Sequence, residues 1–239
     1  MTNSGQGKYS INIGQITGGE VQVGDRTYAN ASPANLALAA GVEARQPAQR
    51  TILVLAASPV DRSHEQLGRE VREIDAGLRL GKHRNLFHLE QRWAVRPEDL
   101  RRSLLEIQPQ ILHFCGEAGE TQGLALENAL GQTQWAATDA LSDLFKLFAS
   151  RGLECVVLNA YHSTTQATAI AQHVRWVIGM SDAIERRAAI LFAVGFYDAL
   201  GAGWSYQDAY ELGCNAIALE GIPQDLIPVL QKRESQPPL

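Results

Sequence analysis

Ile52-Leu53-Val54-Leu55-Ala56-Ala57 is an unbroken apolar run that stops at Ser58-Pro59. A strand with apolar side chains on both faces needs cover on both faces, the condition of a central strand in a parallel sheet. The chain downstream repeats the theme. Residues 64–80 carry Leu67, Val71, Ile74 and Leu78 at helical spacing. A second strand is expected at 87–95, through Phe87, Leu89, Trp93 and Val95, and a helix from Pro97 through Leu100, Leu104 and Leu105. Residues 110–114, 154–158 and 176–179 predict further strands, and 123–127 a short extended piece. Thr138 is expected to cap a helix reaching Ala149, with Asp139 in its first turn. Helices over 164–173, 184–200 and 205–219 complete the series.

Strands that alternate with helices imply right-handed crossovers and an α/β fold: a doubly wound, mostly parallel sheet flanked by helices. Working residues in such sheets sit at the carboxyl ends of strands, near the switch in strand order. Four stretches qualify: 58–61, 115–119, 159–163 and 180–182.

Composition narrows the partners. The 239 residues suit one large domain with a short appendage, and the net charge is −5. Lys and Arg are scattered among acids, and the most basic stretch, 69–84, is interrupted by Glu70, Glu73 and Asp75. That pattern reads as a solvated helix face, and no nucleic-acid partner is expected. Cys115, Cys155 and Cys214 lie in or beside apolar runs, without metal-ligand spacing, and read as reduced, buried thiols. Gly116, Gly119 and Gly123 do not form a dinucleotide fingerprint. No cofactor and no metal are expected. Residues 1–8 lack the apolar core of a signal peptide, and no apolar run has membrane-spanning length. The expected location is the cytoplasm, with no membrane partner.

Two strand-end stretches carry recognisable motifs: His113-Phe114-Cys115-Gly116-Glu117-Ala118-Gly119 and Leu158-Asn159-Ala160-Tyr161-His162-Ser163. They resemble the CHAT domain, a bacterial relative of caspases and separases, which carries H-F-S-G-H-G after the first of these strands and N-A-C-x-S after the second. The resemblance runs from about Thr51 to Leu230. It includes Glu90 to Val95, the Arg-Pro-Glu-Asp-Leu helix start, Val177 to Met180, and Ala193 to Gly203. It implies a caspase-like fold. On this resemblance the catalytic histidine position is Glu117 and the catalytic cysteine position is Tyr161. They are 44 residues apart, against roughly 50 in caspases.

Peptide hydrolysis by that family needs a thiolate and an imidazole that holds and returns a proton near neutral pH. A phenol is mostly protonated at pH 7, and a carboxylate at 117 has no thiol to activate. Loss of either member of such a unit typically costs on the order of a million-fold in turnover. Two substitutes present themselves. His113 and Cys115 would face the same way in an extended strand, as a shifted dyad or as a packed thiol. His162, beside Tyr161, pairs with Glu117 as an acid–base couple or is an ordinary loop histidine. Cys155 reads as core, and Trp93, Trp176, Phe192 and Phe196 read as packing.

The N-terminal region is a second element. Residues 1–8 read as disordered. From Tyr9 to Tyr28, Ile11 and Ile13 alternate, Gly18-Gly19 intervenes, and Val21 and Val23 alternate again before Gly24-Asp25. That is strand, glycine turn, strand. Val21-Gln22-Val23-Gly24 resembles the tetrad of RIP homotypic interaction motifs, which assemble as signalling amyloids, and Ile11-Asn12-Ile13-Gly14-Gln15 echoes it. A lone hairpin is marginal in water, and its unpaired edges, β-branched side chains and amides suit stacking. Self-assembly through Ile11, Ile13, Val21, Gln22, Val23 and Gly24 stands beside a hairpin that packs on its own domain or one partner.

The expected layout is a β-hairpin motif at 1–28, a linker at 29–50 with a helical turn or two at 34–44, a CHAT-like domain at 51–232 and a disordered tail at 233–239. The leading functional expectation is a catalytically inactive pseudo-protease that binds other proteins, set in a bacterial conflict or regulated-death system. The rival is an active hydrolase that uses Cys115, or His162 with Glu117.

Overall fold

The structure, a computed structural model, describes residues 21–23, 26–28, 49–62 and 67–233. The chain divides into two compact units, 1–47 and 48–239. In the first, β1 (Val21–Val23) pairs antiparallel with β2 (Arg26–Tyr28), Val23 opposite Arg26. The alternation placed the partner of Val21–Val23 upstream, around Ile11 and Ile13. The described partner follows Gly24-Asp25 and uses Arg26, Thr27 and Tyr28. Ile11, Ile13 and Gly24, the helical turn at 34–44 and the tail at 234–239 lie outside the described residues.

The second unit runs β3 (Arg50–Ala56), α1 (Leu67–Leu80), a 3₁₀ turn (Arg84–Leu86), β4 (Phe87–Trp93) and α2 (Pro97–Ile107). Then come β5 (Ile111–Gly119), β6 (Gly123–Glu127), β7 (Thr133–Ala136), α3 (Thr138–Ala149) and β8 (Cys155–Tyr161). It closes with α4 (Thr164–Ile170), β9 (Trp176–Met180), α5 (Arg186–Gly201), α6 (Tyr206–Leu219) and β10 (Pro228–Lys232). The sheet order is β4-β3-β5-β8-β9-β10. Neighbours are parallel from β4 to β9, and β10 is antiparallel. The β6–β7 hairpin extends antiparallel from the end of β5. The order reverses between β3 and β5, which puts the switch point beside the end of β5.

The two-sided burial of β3 follows from its composition. Ile52, Val54 and Ala56 join one core with α1, α5 and α6, while Leu53, Leu55 and Ala57 join the other with α2, α3 and α4. The same alternation governs β5 and β8. It sends Cys115 and Val157 to the α1–α5 side, and Phe114 and Leu158 to the opposite one.

Several expectations need correction. β5 and β8 extend well past 114 and 158, so Glu117 and Tyr161 sit on strand ends rather than in loops. β7 and β10 are short, poorly alternating strands that the sequence pattern does not predict. Thr138 does not cap α3: Ala137 takes that place, and the Thr138 hydroxyl accepts from Gln166 Nε2 at 3.1 Å. Phe192 and Phe196 are fully buried and stacked, but Trp93 is 48% exposed on the edge strand. Trp176 lies partly buried, with the Lys232 ammonium 4.9 Å from its ring. Among the described residues, no helix is long and apolar enough to cross a membrane.

Candidate functional site

Parallel pairing of β5 with β8 puts Gly116 opposite Ala160, Glu117 opposite Tyr161 and Cys115 opposite Asn159. Alternation turns His113, Cys115 and Glu117 to the face that α1 and α5 cover, together with Asn159 and Tyr161. Gly116 lies on the other face, in a tight place. A Cβ there would stand 2.8 Å from the Ala57 carbonyl oxygen and 2.9 Å from the Phe114 ring, so a side chain would push β5 away from the end of β3.

At the upper level of this face, Glu117 Oε2 lies 3.4 Å from Arg62 Nη1, with 14% of the Glu117 side chain exposed. The Arg62 guanidinium in turn stands 4.7 Å over the Trp135 ring of β7. The carboxylate is thus held by a cation that is itself seated on an aromatic face. Tyr161 packs partly buried against the α1–α5 core. His162 has a left-handed backbone, φ 53°, and its Nδ1 lies 3.8 Å from Asp182 Oδ1. The expected couple of His162 with Glu117 is therefore not what these ion pairs show: each ring or carboxylate is drawn to a different partner.

One level lower is a polar cluster within the core. Glu70 of α1 sends Oε1 into the sheet, where it accepts from Asn159 Nδ2 at 2.7 Å and from the Cys115 thiol at 3.3 Å. His113 Nε2 lies 2.8 Å from the same oxygen, and His113 Nδ1 lies 3.1 Å from the Tyr197 hydroxyl of α5. Asn159 Nδ2 also donates to the Ala189 carbonyl at 3.1 Å. Glu70, His113, Cys115 and Asn159 are all buried, the histidine and the thiol with no exposure at all. Burial also pushes the Tyr197 phenol well above its ordinary range, so it stays a neutral hydroxyl. A hollow of about 10 Å³, lined by Glu70, Gly116, Asn159, Tyr161 and Arg186, separates the two levels. It has room for about one water.

His113 and Cys115 thus meet in space as the strand geometry predicts, but through Glu70, which the sequence reading placed on a solvated face. Glu70 instead lies on the buried face of α1. Leu67, Glu70, Val71, Ile74 and Leu78 form one buried stripe of α1. The available signal was the position of Glu70, three residues after Leu67 and four before Ile74, inside an apolar stripe. Asn159 stands in the quoted motif, but its role depends on the helix that meets it. Cys115 and Cys155 are buried, and Cys214 is half-buried.

No family model matches the chain. It is 25% identical over 182 residues to a Roc-COR-CHAT protease from an unknown prokaryotic organism, which covers 74% of this chain and 17% of that protein. It is 22% identical over 176 residues to a probable protease of Gillisia limnaea (strain DSM 15749 / LMG 21470 / R-8282), covering 73% of this chain and 31% of that protein. The chain therefore spans less than a third of the length of these relatives. A secreted C11 cysteine protease from Bacteroides thetaiotaomicron, solved with an irreversible peptide inhibitor, superposes with a TM-score of 0.52 at 10% identity, over 72% of this chain and 60% of that one. The fold is a caspase-like α/β fold, and its relatives carry the names of proteases.

Proposed function

We propose that this chain is a caspase-fold module that binds a peptide or protein segment at the ends of β5 and β8 without cutting it. The single observation that carries the reading is the occupancy of those strand ends: Glu117 and Tyr161 stand as register partners where a cysteine protease of this form needs an imidazole and a thiol. Arg62 engages Glu117, and the nearest thiol, Cys115, is wholly buried with its proton directed at Glu70. A carboxylate acceptor discourages the thiolate that acyl transfer requires. Recruitment would come from the N-terminal strands. Val21–Val23 and Arg26–Tyr28 form a hairpin whose outer edges suit pairing with further copies, and Ile11, Ile13, Gln22 and Gly24 belong to the same proposed motif. A bacterial conflict or regulated-death pathway is the setting that the motif and the fold together favour.

The test is direct. Purified chain is incubated with a panel of fluorogenic peptides and with a peptidyl electrophile, while peptide binding is followed separately by fluorescence polarisation. Binding without turnover or labelling is expected. For recruitment, residues 1–28 are deleted and sedimentation is compared with that of the full chain. Equal assembly by the truncated chain, or a full chain that stays monomeric at high concentration, removes the assembly part of the proposal.

The convergence of His113 and Cys115 on Glu70 favours one second reading, a hydrolase whose thiol is uncovered when α1 moves. Labelling of Cys115 by the peptidyl electrophile, lost in Cys115→Ala, selects that reading over the first.

A further inference from the structure

We infer that Glu70, His113 and Cys115 form a buried divalent-metal site with the donor chemistry that zinc takes. Their ligand atoms, a carboxylate oxygen, an imidazole nitrogen and a sulfur, all lie within 4.8 Å of one another. Bonds of about 2.0 to 2.3 Å from one ion span such a set. Mixed sulfur, nitrogen and oxygen ligation suits zinc better than magnesium or calcium, which favour oxygen alone. Charge points the same way. An ionised carboxylate and a thiolate sum to −2, which a divalent cation cancels, and an uncompensated charge this deep would be costly.

The surroundings are those of a metal ligand set. His113 holds its second nitrogen against the Tyr197 hydroxyl at 3.1 Å, the outer contact that orients a metal-bound imidazole. Glu70 keeps the Asn159 amide at 2.7 Å, which fixes the carboxylate. A second, independent observation comes from the same asparagine. Asn159 is buried, and its Oδ1 has no hydrogen-bond partner among the described residues. A purely hydrogen-bonded cluster accounts for the contacts of Glu70 but leaves that oxygen orphaned. Asn159 lines the one-water hollow together with Glu70. A water there, as fourth ligand, would donate a proton to Asn159 Oδ1 and complete a four-coordinate site. The ion would join α1, through Glu70, to β5, through His113 and Cys115.

Binding is a simple exchange. The Cys115 sulfur–hydrogen bond breaks, the sulfur lone pair bonds the metal, and the proton leaves to solvent; the imidazole binds neutral and the carboxylate ionised. Affinity therefore falls about tenfold for each unit the pH drops while the apo thiol is protonated.

The full chain, stripped with a chelator, is titrated with Co²⁺ and then with Zn²⁺. One equivalent is expected, with a thiolate-to-cobalt charge-transfer absorption that Zn²⁺ displaces. The band should vanish in Cys115→Ser and persist in Cys155→Ser and Cys214→Ser. Replacing Tyr197 by Phe, which leaves the three ligands in place, should weaken binding by about tenfold or more. X-ray absorption on the zinc-loaded wild-type chain needs no variant and should show one sulfur among nitrogen and oxygen ligands. A shell without sulfur, or a charge-transfer band that survives in Cys115→Ser, overturns the inference.

Discussion

Glu117 on β5 and Tyr161 on β8 are paired across two parallel strands, with the Glu117 carboxylate turned to Arg62 and the Tyr161 ring packed against the α1–α5 core. On the proposed reading, these strand ends are the backbone frame of a cysteine-protease centre with different side chains mounted on it. Cys115 lies one alternation below Glu117 on the same face of β5, in contact with Glu70.

If that frame is intact, placing an imidazole and a thiol on it should create reactivity. The double variant Glu117→His with Tyr161→Cys is expected to react with a peptidyl electrophile at residue 161. The wild-type chain and Glu117→His alone should not react there. Labelling followed by mass spectrometry decides it, and a double variant as inert as the parent would show that the strand ends are misaligned for chemistry.

The native thiols should resist alkylation at neutral pH. Cys115 and Cys155 have no exposure, and burial pushes the Cys155 thiol far up. Cys214 is more accessible, but burial raises its thiol to about 11. Only the thiolate reacts, so its labelling rate should climb about tenfold per pH unit from 8 to 10 and level off above 11. Site-resolved iodoacetamide kinetics read this out. Rapid modification of Cys115 at pH 7 would instead mark an accessible nucleophile.

Much of this was legible beforehand. The two-sided run at 52–57 forces a covered parallel sheet, and the two motif stretches at 113–119 and 158–163 fall at the ends of β5 and β8. Cys115 and His113 follow from strand alternation alone. What the one-dimensional pattern hides is contact between elements far apart in the chain: Glu70 reaches Asn159 across 89 residues. A charged residue in a helix reads as solvated unless its phase against the apolar stripe is checked. β7 and β10 escape for a different reason, since short strands on a sheet's periphery alternate weakly and owe their form to their neighbours.

Ser163 ties the end of β8 to β9. Its fully buried hydroxyl donates to the Leu158 carbonyl at 2.9 Å and accepts from the Met180 amide at 2.9 Å. Ser163→Ala leaves both backbone groups unpaired in the core, and a loss of about 1–3 kcal/mol in urea unfolding is expected. Wild-type stability in that variant would mean that water replaces the hydroxyl.

The start of α2 should make stability sensitive to acid. Asp99 accepts from the Arg96 side chain at 2.8 Å and from the Arg96 amide at 3.2 Å, and the side-chain bond chiefly holds its carboxyl below the ordinary value. A carboxyl with a lowered folded value gives the folded state stability that is full above about pH 4 and lost as the pH falls through that folded value. Asp99→Ala should cost about 1 kcal/mol at pH 7. The cost should shrink toward nothing in strong acid. Parallel stability curves for the two proteins down to pH 2 would contradict the role of this carboxylate.

Glu70 distinguishes a structural acceptor from a solvated charge most sharply. Three groups converge on its Oε1, and all of them are buried. Glu70→Ala removes the acceptor and leaves Cys115, His113 and an Asn159 proton facing a cavity, a loss of about 3 kcal/mol or more. Glu70→Gln keeps one oxygen acceptor of the same shape and should recover a large part of that loss. An exposed helix charge would give changes within about 0.5 kcal/mol for both variants. Urea midpoints for the pair, measured in the presence of chelator so that no ion contributes, separate the two cases: equal and small shifts would place Glu70 at the surface, and a large shift for alanine with a smaller one for glutamine places it at the hub between α1, β5 and β8.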